Sequence, residues 1–243
     1  MQTQIVYEDE AVLVIWKPAG LATESAGIGQ KDVVSELKNY VAKKNPGKMP
    51  YLGVVHRLDQ PVEGLLVFAK TKKAAEDLTA QLGKGTFKKE YLAVVCGKVP
   101  ENTGRQVDYL VKVNGMAVVK DAADAQIKQA ANPPAKKAVL TYTKKAETGR
   151  LTLLAVQIET GRFHQIRAQL SHAGFPILGD EKYGSEESKE FSRKKKIRFT
   201  ALCAASVSFR HPVTGKAMVF TQAPQNPAFA DLMAGKGNFC QRI

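Results

Sequence analysis

Three short stretches hold side chains that can do chemistry. In Gly53-Val54-Val55-His56-Arg57-Leu58-Asp59-Gln60-Pro61-Val62-Glu63-Gly64, Arg57 and Asp59 alternate between an apolar approach and the apolar run Leu65–Ala69. Pro61 and Gly64 make this a shaped loop, and loops held by rigid elements are where catalytic groups concentrate. A carboxylate there can act as a nucleophile or a base; the plain alternative is a loop salt bridge. In Phe87-Lys88-Lys89-Glu90-Tyr91, a phenol ring opens an apolar strand behind two lysines. Such a ring can stack on a base in a cleft, or be a half-buried strand residue. In Thr160-Gly161-Arg162-Phe163-His164-Gln165-Ile166-Arg167, Phe163, Ile166 and Leu170 predict the apolar face of a helix. His164 and Arg167 project together from the neighbouring polar face, where Arg167 can keep a nearby carboxylate ionised. A solvated basic helix is the alternative.

Other chemistries lack their residues. His164 and His172 lie roughly 12 Å apart on a helix, too far to share an ion. His56 and His211 have no companions at metal spacing, and no Cys-x-x-Cys pair exists. Neither a Gly-x-x-x-x-Gly-Lys-Ser/Thr loop nor a Gly-x-Gly-x-x-Gly opening is present, so a nucleotide cofactor is unsupported. A hydrolase using Asp59 and His56 would want a second carboxylate or a metal. Thirty-six Lys and Arg against 23 Asp and Glu give +13 and a pI near 9.6. That balance favours a polyanionic partner, because neutralising phosphates releases condensed counterions. Cys96 ends an apolar run and reads as a buried thiol, Cys203 sits among alanines, and Cys240 lies in the tail. The acidic start Glu8-Asp9-Glu10 is no basic leader, and no stretch reaches the ~20 apolar residues of a membrane span, so a cytoplasmic protein is expected.

The elements that must position these residues are legible in outline. Ile5–Tyr7 and Val12–Trp16 predict two strands split by an acidic turn. Asp32 can cap a helix to Lys44, and Thr71 one through Leu82 that Gly83 stops. Leu65–Ala69 predicts a strand covered on both faces. Phe87–Cys96, Val139–Thr143 and Leu151–Ile158 predict further strands, with a helix over Phe163–Ala173. Ser206–Phe209 and Ala217–Thr221 flank a hairpin turn at His211–Gly215. From Pro100 to Lys137 the pattern weakens, and Asp121–Ala131 is a loop or a short helix. The irregular strand–helix order suits an α+β fold, a mixed sheet with helices packed on it.

Taken in order, the motifs resemble the RluA-type pseudouridine synthases. The resemblance rests on His56-Arg57-Leu58-Asp59 with Gly64 and Ala69-Lys70, Lys89-Glu90-Tyr91-Leu92-Ala93-Val94-Val95, and Gly161 through Arg167. Gly179-Asp180-Glu181-Lys182-Tyr183-Gly184, Phe209-Arg210-His211-Pro212, Ile5 through Glu10, and Lys17-Pro18-Ala19-Gly20 complete it. It implies a single pseudouridine-synthase domain over 1–243, with 224–243 a peripheral tail. Its mixed, mostly antiparallel sheet would be flanked by helices and loops around a central RNA-binding cleft.

The resemblance makes Asp59 the catalytic carboxylate, Tyr91 the ring that packs on the target uracil, and Arg167 the partner of Asp59. Arg57 would enter the space left by the extruded base. It implies that the C1′–N1 bond of a uridine in ribosomal or transfer RNA breaks, the uracil turns, and C5 is joined instead. No atoms are lost, so no metal or cofactor is implied. The RNA-binding residues expected are Arg57, His56, Lys89, Arg162 and His164, with Arg193, Lys194, Lys195 and Lys196 a phosphate-binding run or a solvated loop. A monomer is the default, and a catalytically silent RNA-binding or chaperone module is the competing reading. The chain has no room before Ile5 for the small RNA-binding domain of many relatives, so target choice would fall to the catalytic domain.

The chain departs from the family pattern after the aspartate, where Val62 and Glu63 stand in place of Thr-Ser. Glu63 would then add a negative charge near the RNA. Phe163 stands where Thr or Ser is usual.

Overall fold

A computed structural model describes residues 1–25, 27, 29–44, 46–47, 49–120 and 134–234. Asp121–Ala131 and Cys240 lie outside the described residues. The chain forms two compact units, one built from residues 1–89 and 203–225, the other from 90–202 and 226–234.

The first unit is built on strands β1 (Gln4–Glu8), β2 (Val12–Lys17), β3 (Gly53–Val54) and β4 (Glu63–Ala69). Every residue of β2 and β4 is buried, as continuous apolar runs covered on both faces require. β1, β2 and β4 pair antiparallel in that order, β3 pairs with the far end of β4, and β10 (Leu202–Arg210) pairs parallel to the start of β4. β11 (Ala217–Thr221) returns against β10 as the predicted hairpin. Helix α1 (Val33–Lys44) is capped by Asp32, whose Oδ1 accepts the Ser35 N–H at 2.7 Å. Thr71 caps α2 (Lys72–Gly83) through the Ala74 N–H. Gly83 does not stop that helix. Lys84 is its C-cap, and Gly85 at φ 68° turns the chain so that Thr86 N–H reaches the Gln81 carbonyl.

Several motifs of the resemblance serve this unit structurally. Asp9 accepts the N–H groups of Ala11 and Val12, the Tyr7 hydroxyl, and Nε2 of His211 at 2.8 Å. His211 Nδ1 accepts Val213 and Thr214 N–H, so one ring joins the β1–β2 turn to the β10–β11 turn. Lys70 reaches Glu8 at 3.0 Å.

The second unit orders its strands β5 (Lys88–Cys96), β9 (Leu151–Ile158), β8 (Lys136–Thr148), β6 (Thr103–Val113) and β7 (Met116–Lys120), each antiparallel to its neighbour. β6 and β7 fall in the stretch where the sequence pattern weakens, and β8 is longer than Val139–Thr143. Helices α3 (Gln165–His172) and α4 (Glu186–Lys194) follow, then a 3-10 turn (Pro227–Phe229) and α5 (Ala230–Met233). The α+β class with mostly antiparallel pairing holds. No helix among the described residues is long and apolar enough to cross a membrane.

Gly64 opens β4 at φ 134°, and a Cβ there would lie 2.5 Å from the Ala204 nitrogen on the parallel neighbour. Gly64→Ala combines forbidden backbone with an overpacked strand pair, and should lower unfolding free energy by about 2–4 kcal/mol. A urea midpoint that falls at unchanged slope checks this; an unchanged midpoint contradicts it.

Candidate active site

Asp59 sits on the loop joining β3 to β4. Along it, His56 and Leu58 are buried while Arg57 is exposed and Asp59 half-buried, so the chain alternates inward anchors with outward charges. Thr23 Oγ1 donates to the Leu58 carbonyl at 2.8 Å and accepts the Leu58 N–H at 3.2 Å. On the other side, the Gln60 carbonyl accepts Gly20 N–H at 2.8 Å, and Gln60 Nε2 donates back to the Gly20 carbonyl. Val62 N–H closes the turn onto the Asp59 carbonyl. The backbone is thus tied at the residue before Asp59 and at the residue after it.

Beneath this loop lies Lys17, wholly buried. Its Nζ donates to the carbonyls of Leu21 (2.7 Å), Pro18 (3.0 Å) and Gln60 (3.1 Å). Three acceptors take all three protons of an ammonium; a neutral amine has only two. Burial pulls its pKa down to about 7, against the opposing pull of the Asp59 and Glu63 carboxylates.

Two expectations for this loop are corrected. His56 does not face RNA: its Nε2 accepts the Val67 N–H at 3.3 Å, and its ring meets Phe87 edge-on at 5.3 Å. Burial, with the Lys89 charge adding, holds its pKa well below the usual value, which leaves a neutral core ring. Nor is Glu63 a surface charge. It is 3% exposed, accepts the Gln225 N–H at 2.9 Å, and Val62 beside it is buried too. Arg57, by contrast, is exposed, with a loose contact to Glu24 at 3.6 Å. Lys89 is half-buried, and desolvation lowers its ammonium pKa.

In the second unit, Tyr91 lies on β5 opposite Val156 and is 5% exposed. The turn before α3 is pinned by Gln165, whose Oε1 accepts the Arg162 N–H and the Thr160 hydroxyl while Nε2 donates to the Val139 carbonyl. The helix begins at Gln165 rather than Phe163. His164 precedes it in the left-handed region at φ 50°, and Phe163 is exposed rather than part of an apolar face. Arg162 is exposed and its Nε donates to the Lys137 carbonyl.

Arg167 does not share an outer face with His164; it is 3% exposed. Its Nε and Nη2 each donate to a carboxylate oxygen of Asp180 at 2.7 Å. Asp180 is oriented in turn by the N–H groups of Lys182 and Tyr183, and the guanidinium lies 5.1 Å from the Tyr183 ring centre. The solvated-helix alternative therefore falls. Asp180 and Tyr183 had no role assigned from sequence, although their motif was the signal for one. Arg193 and Lys194 end α4, a helix not expected there, and Lys195 and Lys196 follow it, all four exposed. Lys194 pairs with Glu190 at 2.6 Å. Among the described residues no cluster could hold a metal.

The family model described as RNA pseudouridylate synthase matches residues 11–172. The chain is 34% identical over 233 residues to ribosomal large subunit pseudouridine synthase D of Zymomonas mobilis, spanning 92% of this chain and 70% of that protein. It is 30% identical over 227 residues to tRNA pseudouridine synthase C of Haemophilus ducreyi, spanning 88% of each. The solved structure of human RNA Pseudouridylate Synthase Domain Containing 4 shares the fold, with a TM-score of 0.71 at 23% identity over 91% of this chain and 89% of that one.

Two measurements probe the buried charges. Unfolded Lys17 keeps its proton to about 10.5 and folded Lys17 to about 7, so between these the unfolded state binds more protons. Its contribution to stability therefore rises with pH across that window. The difference in urea midpoint between wild type and Lys17→Met should grow from pH 7 to 10; a pH-independent difference would refute the shift. Asp180→Asn removes the buried carboxylate charge to which Arg167 donates twice, and should cost about 3–5 kcal/mol in a urea melt. Glu159→Gln, at the exposed pair with Arg105, should cost less than about 1 kcal/mol. Equal losses would mean that the buried pair is not held as described.

Proposed function

The chain belongs to the RNA pseudouridylate synthase family, and on that premise we propose that it isomerises uridine to pseudouridine in ribosomal or transfer RNA, with Asp59 as the catalytic carboxylate. The observation that carries this reading is the double tether of Asp59, whose flanking residues Leu58 and Gln60 are both hydrogen-bonded to the 17–23 segment. A carboxylate held this way meets a substrate without first ordering its own loop.

In the proposed reaction the C1′–N1 bond breaks, the uracil rotates, and C1′ joins C5. The proton lost from C5 balances the one gained at N1. Whether Asp59 adds to the sugar or takes its 2′ proton, it must be ionised. Arg167 has the role of holding that charge, and its own fixed placement by Asp180 supports it. Tyr91 has the role of packing on the uracil. A base inside a helix must be flipped out at a cost of a few kcal/mol. Exposed Arg57 suits the vacated space, and Arg162, His164, Lys89 and the run from Arg193 to Lys196 supply phosphate contacts. No metal or cofactor has a part, and action as a monomer on cytoplasmic RNA completes the proposal.

Asp59→Asn tests it, since it removes the charge and keeps the shape. Pseudouridine formation in total RNA, read by mass spectrometry, should be abolished, with RNA affinity changed by less than about twofold. A variant that still converts uridine refutes the role of Asp59. Wild-type protein that binds RNA and converts no uridine favours the silent RNA-binding module instead.

A further inference from the structure

Phe163 is 40% exposed, yet its ring is not loose. It stacks on the His164 ring with centroids 3.7 Å apart and planes 21° from parallel. His164 is held in turn: its Nδ1 lies 2.8 Å from the Tyr183 hydroxyl, which accepts the Ala117 N–H at 2.6 Å. A left-handed backbone at a non-glycine residue costs free energy, and here it sets the histidine ring under Phe163. The Lys112 ammonium lies over the same Phe163 ring, 4.6 Å from its centre. A cation on a flexible exposed stem thus sits where a further ring would stack. Arg162, Lys136, Lys137 and Lys182 are exposed on the same unit, and Arg162 is bonded to the Lys137 carbonyl. Glu159 in this neighbourhood is paired with Arg105, while Glu181 is exposed beside Lys182.

A rigid, solvent-facing ring with the Lys112 ammonium over it and Arg162 next to it in the chain matches one ligand chemistry, a nucleobase carried on a phosphate backbone. We propose that Phe163 on His164 is a stacking platform for an unpaired base of the RNA substrate other than the target uridine, with Lys112 withdrawing from the ring onto that nucleotide's phosphate. The inference rests on the reading of RNA as substrate, and narrows it to RNA that offers an unpaired base at a second position.

The test uses the full chain and a short single-stranded oligoribonucleotide carrying 2-aminopurine, whose fluorescence is quenched by stacking. Wild type should quench it. Phe163→Thr should lose the quench and bind the oligonucleotide roughly 5- to 150-fold more weakly, while Phe163→Tyr should keep both. Duplex RNA binding should change less than twofold in either variant. On an RNA that wild type converts, Phe163→Thr should raise KM and leave kcat near its original value. An unchanged quench in Phe163→Thr overturns the platform, as does an equal loss for duplex and single-stranded RNA. Wild type that quenches the probe but converts no uridine would sink the isomerase reading and leave the platform standing.

Discussion

An ammonium sealed from water and given three carbonyls to bond is a demanding thing to build, and the Asp59 loop depends on it. Lys17 ends β2, so its backbone is fixed by the sheet, and its side chain passes beneath the turn that follows. By bonding Pro18, Leu21 and Gln60 it fastens that turn to the loop that carries Asp59. Removing the ammonium would take this donor from the Pro18 and Leu21 carbonyls, a loss of about 1–3 kcal/mol for the buried Leu21 acceptor, while the Gln60 carbonyl keeps the Gly20 N–H. The proximity of Asp59 and Glu63 offsets part of the cost of burying the charge. One lysine therefore does what a longer loop would need several contacts to do, and it lets Arg57 and Gln60 stay exposed on either side of Asp59.

The second unit solves a similar problem with a different group. Helix α3 turns Gln165, Arg167 and Gln169 into the interior, and each finds a partner: Val139, Asp180 and Asp108. Unpaired, any of them would be costlier than an apolar residue in the same place. Paired, they fix the helix in rotation as well as position, because a guanidinium bonded at two points has one orientation. That directional constraint also carries outward, through Tyr183, to His164 and Phe163.

What could be read from sequence follows from whether a local signal decides the local structure. Asp32 and Thr71 announce caps because a cap is made by one side chain and an N–H three residues on. Leu65–Ala69 announces a buried strand because its whole run is apolar. Strands β6 and β7 were missed because β6 alternates polar residues on a half-exposed sheet, and because Gly104 suggests a break. In the fold Gly104 is there to let the Tyr142 ring pass, where a Cβ would meet ring atoms at 2.4 Å. A better signal was available in Asn114-Gly115, at φ 47° and 74°, the residues a two-residue hairpin turn wants. The Arg167–Asp180 pair was out of reach for another reason: helical spacing says which residues share a face, not which face is the buried one.

The same distinction separates the places where this chain departs from the pattern of its family. From sequence, Val62 and Glu63 beside the Asp59 loop suggest a changed encounter with RNA. Both are buried, and Glu63 accepts the Gln225 N–H, so both belong to the interior. Phe163 is turned outward, on a support that cannot easily yield. A substitution that repacks a core alters stability first, whereas one that places a rigid ring in solvent alters what the surface can hold. An influence on what this chain binds is therefore better sought at Phe163 than at Glu63, although Glu63 stands four residues from Asp59.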